Sequence, residues 1–202
     1  MRLITLGDNL TSQPSWAGYL AQKLNFEHID LSERDGTNES QIFRMQDFLF
    51  ENDIKFDDIY IWQLSGTATL ENRVGTSLED ALKNPSKYYC YLTNQKKNTV
   101  VTSSMSEQEQ LNQIFSLLVT IRKLCDRILI FRGWRETVSL EQRKPFGTLL
   151  SNNKMQFLSE TPIDWCAERN MFFNTNGTPS YESQVEFCNK IIIPKLNLMK
   201  WI

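Results

Sequence analysis

The residues most suggestive of chemistry come early in the chain, where a short apolar run, Arg2-Leu3-Ile4-Thr5-Leu6, ends in Gly7-Asp8-Asn9-Leu10. A loop directly after a buried strand is where an α/β protein presents a reacting side chain, but the residue presented here is Asn9, whose amide is no nucleophile. Acyl transfer needs a hydroxyl, a base to take its proton and a carboxylate to orient that base. The hydroxyls on offer near strand ends are Thr11, Ser12 and Ser65, and the one histidine, His28, lies inside a strand-like segment, far from them in sequence. His28 is expected to pack or hydrogen-bond within the sheet. Ser12 is expected to cap the next helix, and Asp8 to hold its loop by accepting backbone amides.

Other residues carry a functional and a structural reading side by side. Trp62, Trp134 and Trp165 would suit a sugar or acyl site, yet aromatic residues beside strands are more often core. Arg132 and Arg135 flank Gly133-Trp134 and would suit a carboxylate or phosphate, although a solvated ion-pair surface is the commoner role. Gln95-Lys96-Lys97-Asn98 reads as a charged turn.

The elements that must position these residues follow from periodicity. Residues 2–6, 26–31, 57–64 and 127–134 read as strands. A helix opens at Ser12-Gln13-Pro14-Ser15 and runs through Trp16, Tyr19, Leu20 and Leu24. A second helix covers about Gln41 to Asn52, and a long third one runs from Ser106 to Asp126 with Leu111, Ile114, Phe115, Leu118, Ile121 and Cys125 on its apolar face. Residues 65–104 have no clear period and read as an elaborated crossover. Pro162 to Asn170 is predicted as a short helix, Met171 to Phe173 as a brief strand, and a final helix is predicted from Pro179 to near Ile193, stopped by Pro194. Strands alternating with helices predict one α/β domain over residues 1–202, in three α/β/α layers around a mostly parallel sheet. Ligands in such folds bind outside the carboxyl ends of the strands, so Asp8, Asn9, Gly36, Asn38, Gln63 and Ser65 are expected to line one crevice.

The 22 basic and 24 acidic residues give a net charge of −2, which favours neither nucleic acid nor an anionic membrane. Cys90, Cys125, Cys166 and Cys188 form no CxxC pair, so reduced, buried thiols are expected, with no metal and no cofactor. The polar Gly7-Asp8-Asn9 interrupts any N-terminal apolar stretch, and no window reaches the roughly 20 apolar residues of a membrane span, so a cytoplasmic chain is expected.

These blocks resemble the SGNH or GDSL hydrolases, esterases and acyl hydrolases of flavodoxin-like fold. Gly7-Asp8-Asn9-Leu10 with Ser15-Trp16 and Tyr19-Leu20 is similar to the family's first block, Gly-Asp-Ser-Leu, with Asn9 at the nucleophile position. Asp35-Gly36-Thr37-Asn38 with Ile42 is similar to the second, whose glycine amide helps form the oxyanion hole. The third block's oxyanion asparagine is missing from Trp62-Gln63-Leu64-Ser65-Gly66. Asn176-Gly177-Thr178-Pro179-Ser180 resembles the last block, with Asn176 and Thr178 in place of the catalytic Asp and His, and the resemblance implies that Thr178 joins the same crevice.

The resemblance therefore implies a catalytically degenerate member that binds a glycan or acyl-ester ligand, or joins protein partners in an assembly, including a virion. The alternative is an active esterase, acyl hydrolase or acyltransferase with a different nucleophile, such as Thr11, Ser12 or Ser65.

Overall fold

The computed structural model describes residues 1–8, 10–11, 14–33, 38–65, 107–133, 148, 150, 152–153, 155–174 and 178–202. Its centre is a five-stranded, wholly parallel sheet made of β1 (Arg2–Leu6), β2 (Glu27–Asp30), β3 (Ile59–Leu64), β4 (Ile128–Arg132) and β5 (Gln156–Leu158), in the order β2-β1-β3-β4-β5. Every residue of β1 and β3 is buried, as expected for central strands covered on both faces. At the edge, β2 carries Glu27 and Asp30, exposed charges that oppose pairing with another chain.

Because side chains alternate along a strand, the sheet has two apolar faces, each needing a helical cover. Leu3, Ile59, Ile61, Leu129 and Phe131 point to one face. There they meet Trp16 and Leu20 of α1 (Trp16–Leu24), Trp165 of α4 (Pro162–Glu168), Phe187 of α5 (Tyr181–Phe187) and Leu196 of α6 (Ile193–Leu198). Ile4, Leu6, Tyr60, Trp62, Ile128 and Ile130 point to the other, under Ile42, Met45 and Phe48 of α2 (Asn38–Glu51) and Ile114, Leu118 and Ile121 of α3 (Glu107–Arg122). The result is the three-layer α/β/α architecture implied by the alternation in the sequence.

Four local expectations need correction. The N-cap position of the first helix is Ser15, not Ser12, which lies outside the described residues; the Ser15 side chain makes no capping bond, and its hydroxyl donates to the Thr11 carbonyl. Met171–Phe173 adds no strand to the sheet, because Phe173 makes a single antiparallel bridge with Pro179. The fifth strand is instead β5, three residues long. The final helix begins after the cap Ser180 and does not stop before Pro194. A π-helical turn at Cys188–Ile192 leads into α6, and Pro194 occupies that helix's first turn, where the missing N–H is tolerated. The expected crossover beyond Ser65, together with Trp134, Arg135 and Cys90, lies outside the described residues.

Candidate functional site

In a sheet ordered 2-1-3-4-5 the strand order reverses between β1 and β3, and the crevice outside the carboxyl ends of those two strands is the expected ligand position. Asp8 follows β1, and Gln63 closes β3 on the neighbouring strand. The Gln63 amide donates from Nε2 to Asp8 Oδ1 at 2.7 Å, and its Oε1 accepts from the Thr11 hydroxyl at 2.6 Å. Asp8 Oδ1 also accepts from the Leu10 backbone N–H at 3.1 Å, which holds the β1–α1 loop as the sequence suggested. Thr11 N–H completes the turn by donating to the Asp8 carbonyl.

Two glycines let the strand ends close on this amide. A Cβ at Gly133, after β4, would lie 2.2 Å from Gln63 Nε2, and one at Gly7 would lie 2.1 Å from Thr11 Oγ1. Gly133 N–H donates to the Leu64 carbonyl, continuing the β3–β4 ladder one step. The ends of β1, β3 and β4 thus converge on a single buried, neutral side chain.

A second polar cluster lies where α2 begins. Asn38 accepts from the Ser65 N–H at Oδ1 (2.8 Å) and donates from Nδ2 to the Ser65 carbonyl (3.2 Å). One helical turn on, Gln41 donates from Nε2 to the Ser65 hydroxyl and accepts at Oε1 from the Trp62 indole N–H at 2.6 Å. Trp62 is therefore core, with its indole satisfied. Gln41 was not singled out by sequence; its only signal is its spacing of three from Asn38 on the same helix.

The third segment approaches from the C-terminal side. Phe173 packs on Leu10 and Ile163, so the loop before α5 meets the loop after β1. Thr178 is buried and its hydroxyl accepts from Asn174 Nδ2 at 3.1 Å. Gln184, also absent from the sequence candidates, accepts from the Trp16 N–H and donates to the Pro179 carbonyl, joining the start of α1 to this loop. Asp8, Asn38, Gln63, Ser65 and Thr178 thus have described positions, with direct bonds joining Asp8 to Gln63 and Asn38 to Ser65. Asn9, Gly36 and Asn176 lie outside the described residues.

Among the described residues, the histidine sits within the sheet and the cysteines within the core. His28 Nε2 shares a hydrogen bond with Thr5 Oγ1 at 2.9 Å inside the sheet, and burial lowers its pKa. Cys166 and Cys188 are free and buried under the helical layer, and burial pushes both thiols up to about 12, so neither supplies thiolate at neutral pH. Arg132 stacks over the Phe157 ring of β5 at 5.8 Å. Among the described residues, no cluster of three or more His, Cys, Asp or Glu is placed to hold a metal ion, and no helix is long and apolar enough to cross a membrane.

A parallel sheet of this order with helices on both faces and loops converging on the β1/β3 ends is the architecture of the SGNH hydrolases. The chain superimposes on TesA with a TM-score of 0.60 at 12% identity, covering 98% of this chain and 99% of that one. It is also similar to a candidate SGNH hydrolase from Slackia heliotrinireducens, with a TM-score of 0.51, 10% identity and coverage of 95% and 98%. A catalytic mutant of Axe2, an acetylxylan esterase from Geobacillus stearothermophilus, gives a TM-score of 0.52 at 12% identity, with coverage of 99% and 93%. No protein-family model and no curated protein sequence matches the chain. The chain has the SGNH-hydrolase fold.

Proposed function

We propose that this chain is a non-hydrolytic protein of the SGNH-hydrolase fold that binds an acylated glycan at the ends of β1 and β3. The observation that carries the reading is the Thr11–Gln63–Asp8 chain of hydrogen bonds. At the point where the fold delivers substrate to a nucleophile and an oxyanion hole, the central strand presents a carboxamide. An amide neither gives up nor takes a proton near neutral pH, and this one is buried and bonded to Asp8 and Thr11, so it shapes the floor of the crevice without supplying a base. Thr11 donates its proton to that amide, and Ser65 accepts from Gln41. The Thr11 bond is not to a base, which activation of a hydroxyl requires. Asn9, Asn176 and Thr178, at the positions matching the family's triad, support the same reading. The acetylxylan esterase among the similar structures favours a sugar ester as the ligand class.

The test combines three measurements on the unmodified protein: labelling by a fluorophosphonate probe, hydrolysis of p-nitrophenyl acetate and butyrate, and binding to a panel of acetylated and deacetylated glycans. The expected result is no labelling, no turnover above the buffer rate, and binding to an acetylated glycan that Gln63→Ala weakens. Ester turnover abolished by Thr11→Val or Ser65→Ala would replace this reading with that of a working esterase. Absence of any glycan binding would leave the fold without the ligand class assigned here.

A further inference from the structure

The first turn of α1 is completed by a side chain from the far end of the sequence. Ser15, at the N-cap position, makes no capping bond, so the N–H groups that open this helix need acceptors from elsewhere. The Trp16 N–H finds one in Gln184 Oε1 at 3.3 Å. From the same amide, Nε2 donates to the Pro179 carbonyl at 3.0 Å, an oxygen that also accepts from Asn174 Nδ2 at 3.3 Å. Gln184 is buried, and the bonds continue on both sides of it. Towards β1, the Ser15 hydroxyl holds the Thr11 carbonyl, and the Thr11 hydroxyl reaches Gln63 and through it Asp8. Towards α5, Asn174 donates from Nδ2 to the Thr178 hydroxyl and from its backbone N–H to the Thr178 carbonyl. One amide therefore links the loop after β1 to the turn before α5, next to the packing of Phe173 on Leu10.

We infer that Gln184 is a positioning residue for the crevice: without touching the ligand, it sets these two segments at the spacing that binding requires. The inference rests on the reading of the crevice as a ligand site, with the two segments as facing walls. The two bonds select a carboxamide. It supplies one acceptor and one donor from a single flat group, and its partners, an N–H and a carbonyl, need one of each. An apolar side chain of similar length would fill the space and leave both partners unsatisfied. A carboxylate would accept from Trp16 but face the Pro179 carbonyl with no proton to give. A protonated carboxyl group restores both bonds, so a glutamate at this position is switched by pH.

Gln184→Met and Gln184→Glu, compared with the parent, test this by amide hydrogen exchange and by binding to partially acetylated oligosaccharides, with the deacetylated forms as control. Gln184→Met should speed exchange on both sides of the lost amide, at the Thr11 N–H bonded to the Asp8 carbonyl and at the Asn174 N–H bonded to the Thr178 carbonyl. It should weaken binding by about 10-fold, the effect of losing one hydrogen bond's worth of preorganisation. In Gln184→Glu, burial raises the carboxyl pKa above its ordinary ~4.3. Exchange and binding, each relative to the parent at the same pH, should therefore approach parent values at about pH 5 and those of Gln184→Met at about pH 8. The reversal takes place within one folded chain, which far-UV circular dichroism at both ends of the range checks. Faster exchange at Trp16 alone, or a Gln184→Glu protein indifferent to pH, would overturn the inference and leave Gln184 as a local cap of α1. So would a parent that binds glycan no more tightly than Gln184→Met does. A parent that binds no glycan removes the ligand class proposed above, and the exchange measurements then decide by themselves whether Gln184 holds the two segments together.

Discussion

Gln63 shows how one side chain sets the identity of its neighbours. Its amide must lie flat between β1 and β4 to reach Asp8 and Thr11, and only glycine leaves room for it at position 133. Gly133→Ala should cost ~1–3 kcal/mol, the usual range for overpacking. Gln63→Ala in the same protein removes the obstacle, so the double variant should lose at least ~1 kcal/mol less than the two single losses added. Urea unfolding of the four proteins decides this, and strict additivity would show that the amide is not what excludes a side chain there. His28 offers a second residue-level prediction. Burial lowers its pKa below the ordinary 6.5, partly opposed by Asp30. The unfolded chain therefore takes up the proton first, so the contribution of neutral His28 is complete above about pH 6.5 and is lost as the pH falls through the lowered folded value. The parent should lose stability relative to His28→Gln between pH 7.5 and 5, as read from paired urea curves. A constant difference across that range would show that His28 does not titrate differently on folding.

Helix α4 depends on its cap, since a helix of seven residues is too short to persist without tertiary support. Thr161 is buried and its hydroxyl accepts from the Asp164 N–H at 3.1 Å, with Pro162 in the first turn. Thr161→Ala should lower stability by ~1 kcal/mol, and Thr161→Ser should recover most of it. Equal losses for both would assign the effect to the buried methyl group. The cap, like β1 and α1, is readable from local signals: Thr-Pro before an apolar pattern, or five apolar-leaning residues before a glycine turn. Other elements are not local in origin. Gln156–Leu158 is too short to show a period of two and becomes β5 only because Leu129–Phe131 offers it a partner edge. Pro194 is a sound stop signal for an α-helix, but a π-helical turn just before it puts the proline in a first turn again. The site divides the same way. Asp8, Asn38, Gln63 and Ser65 follow from the rule that ligands gather at strand ends. Gln41 and Gln184 look like ordinary helix positions until tertiary packing sets them against Trp62 and Trp16.

Across the molecule, the two ends of the sheet are built on different chemistry. The carboxyl ends converge on amides and hydroxyls around the Asp8 carboxyl group, whereas the amino ends are joined by a buried ion pair. Arg2 grips Asp58 through two bonds, Nε to Oδ1 at 2.9 Å and a terminal nitrogen to Oδ2 at 2.6 Å, with Phe48 under the guanidinium at 5.9 Å. Asp58 Oδ2 also accepts from the Lys55 N–H at 2.9 Å, so one carboxylate organises both the start of β1 and the turn into β3. The hydrogen bond to Asp58 raises the Arg2 pKa further, so the guanidinium stays charged at any working pH. Removing one member leaves the other charge buried without its partner, which typically costs ~3–5 kcal/mol, a large part of the ~5–15 kcal/mol that holds a domain folded. Arg2→Met and Asp58→Asn should each cause a loss of that order in urea unfolding, with the midpoint falling and the slope unchanged. The double variant removes both charges at once and should fall short of the summed losses by at least ~1 kcal/mol. Losses that simply add would mean that Arg2 and Asp58 stabilise the amino ends of the sheet through separate contacts, Arg2 through Phe48 and the Asp53 carbonyl and Asp58 through Lys55.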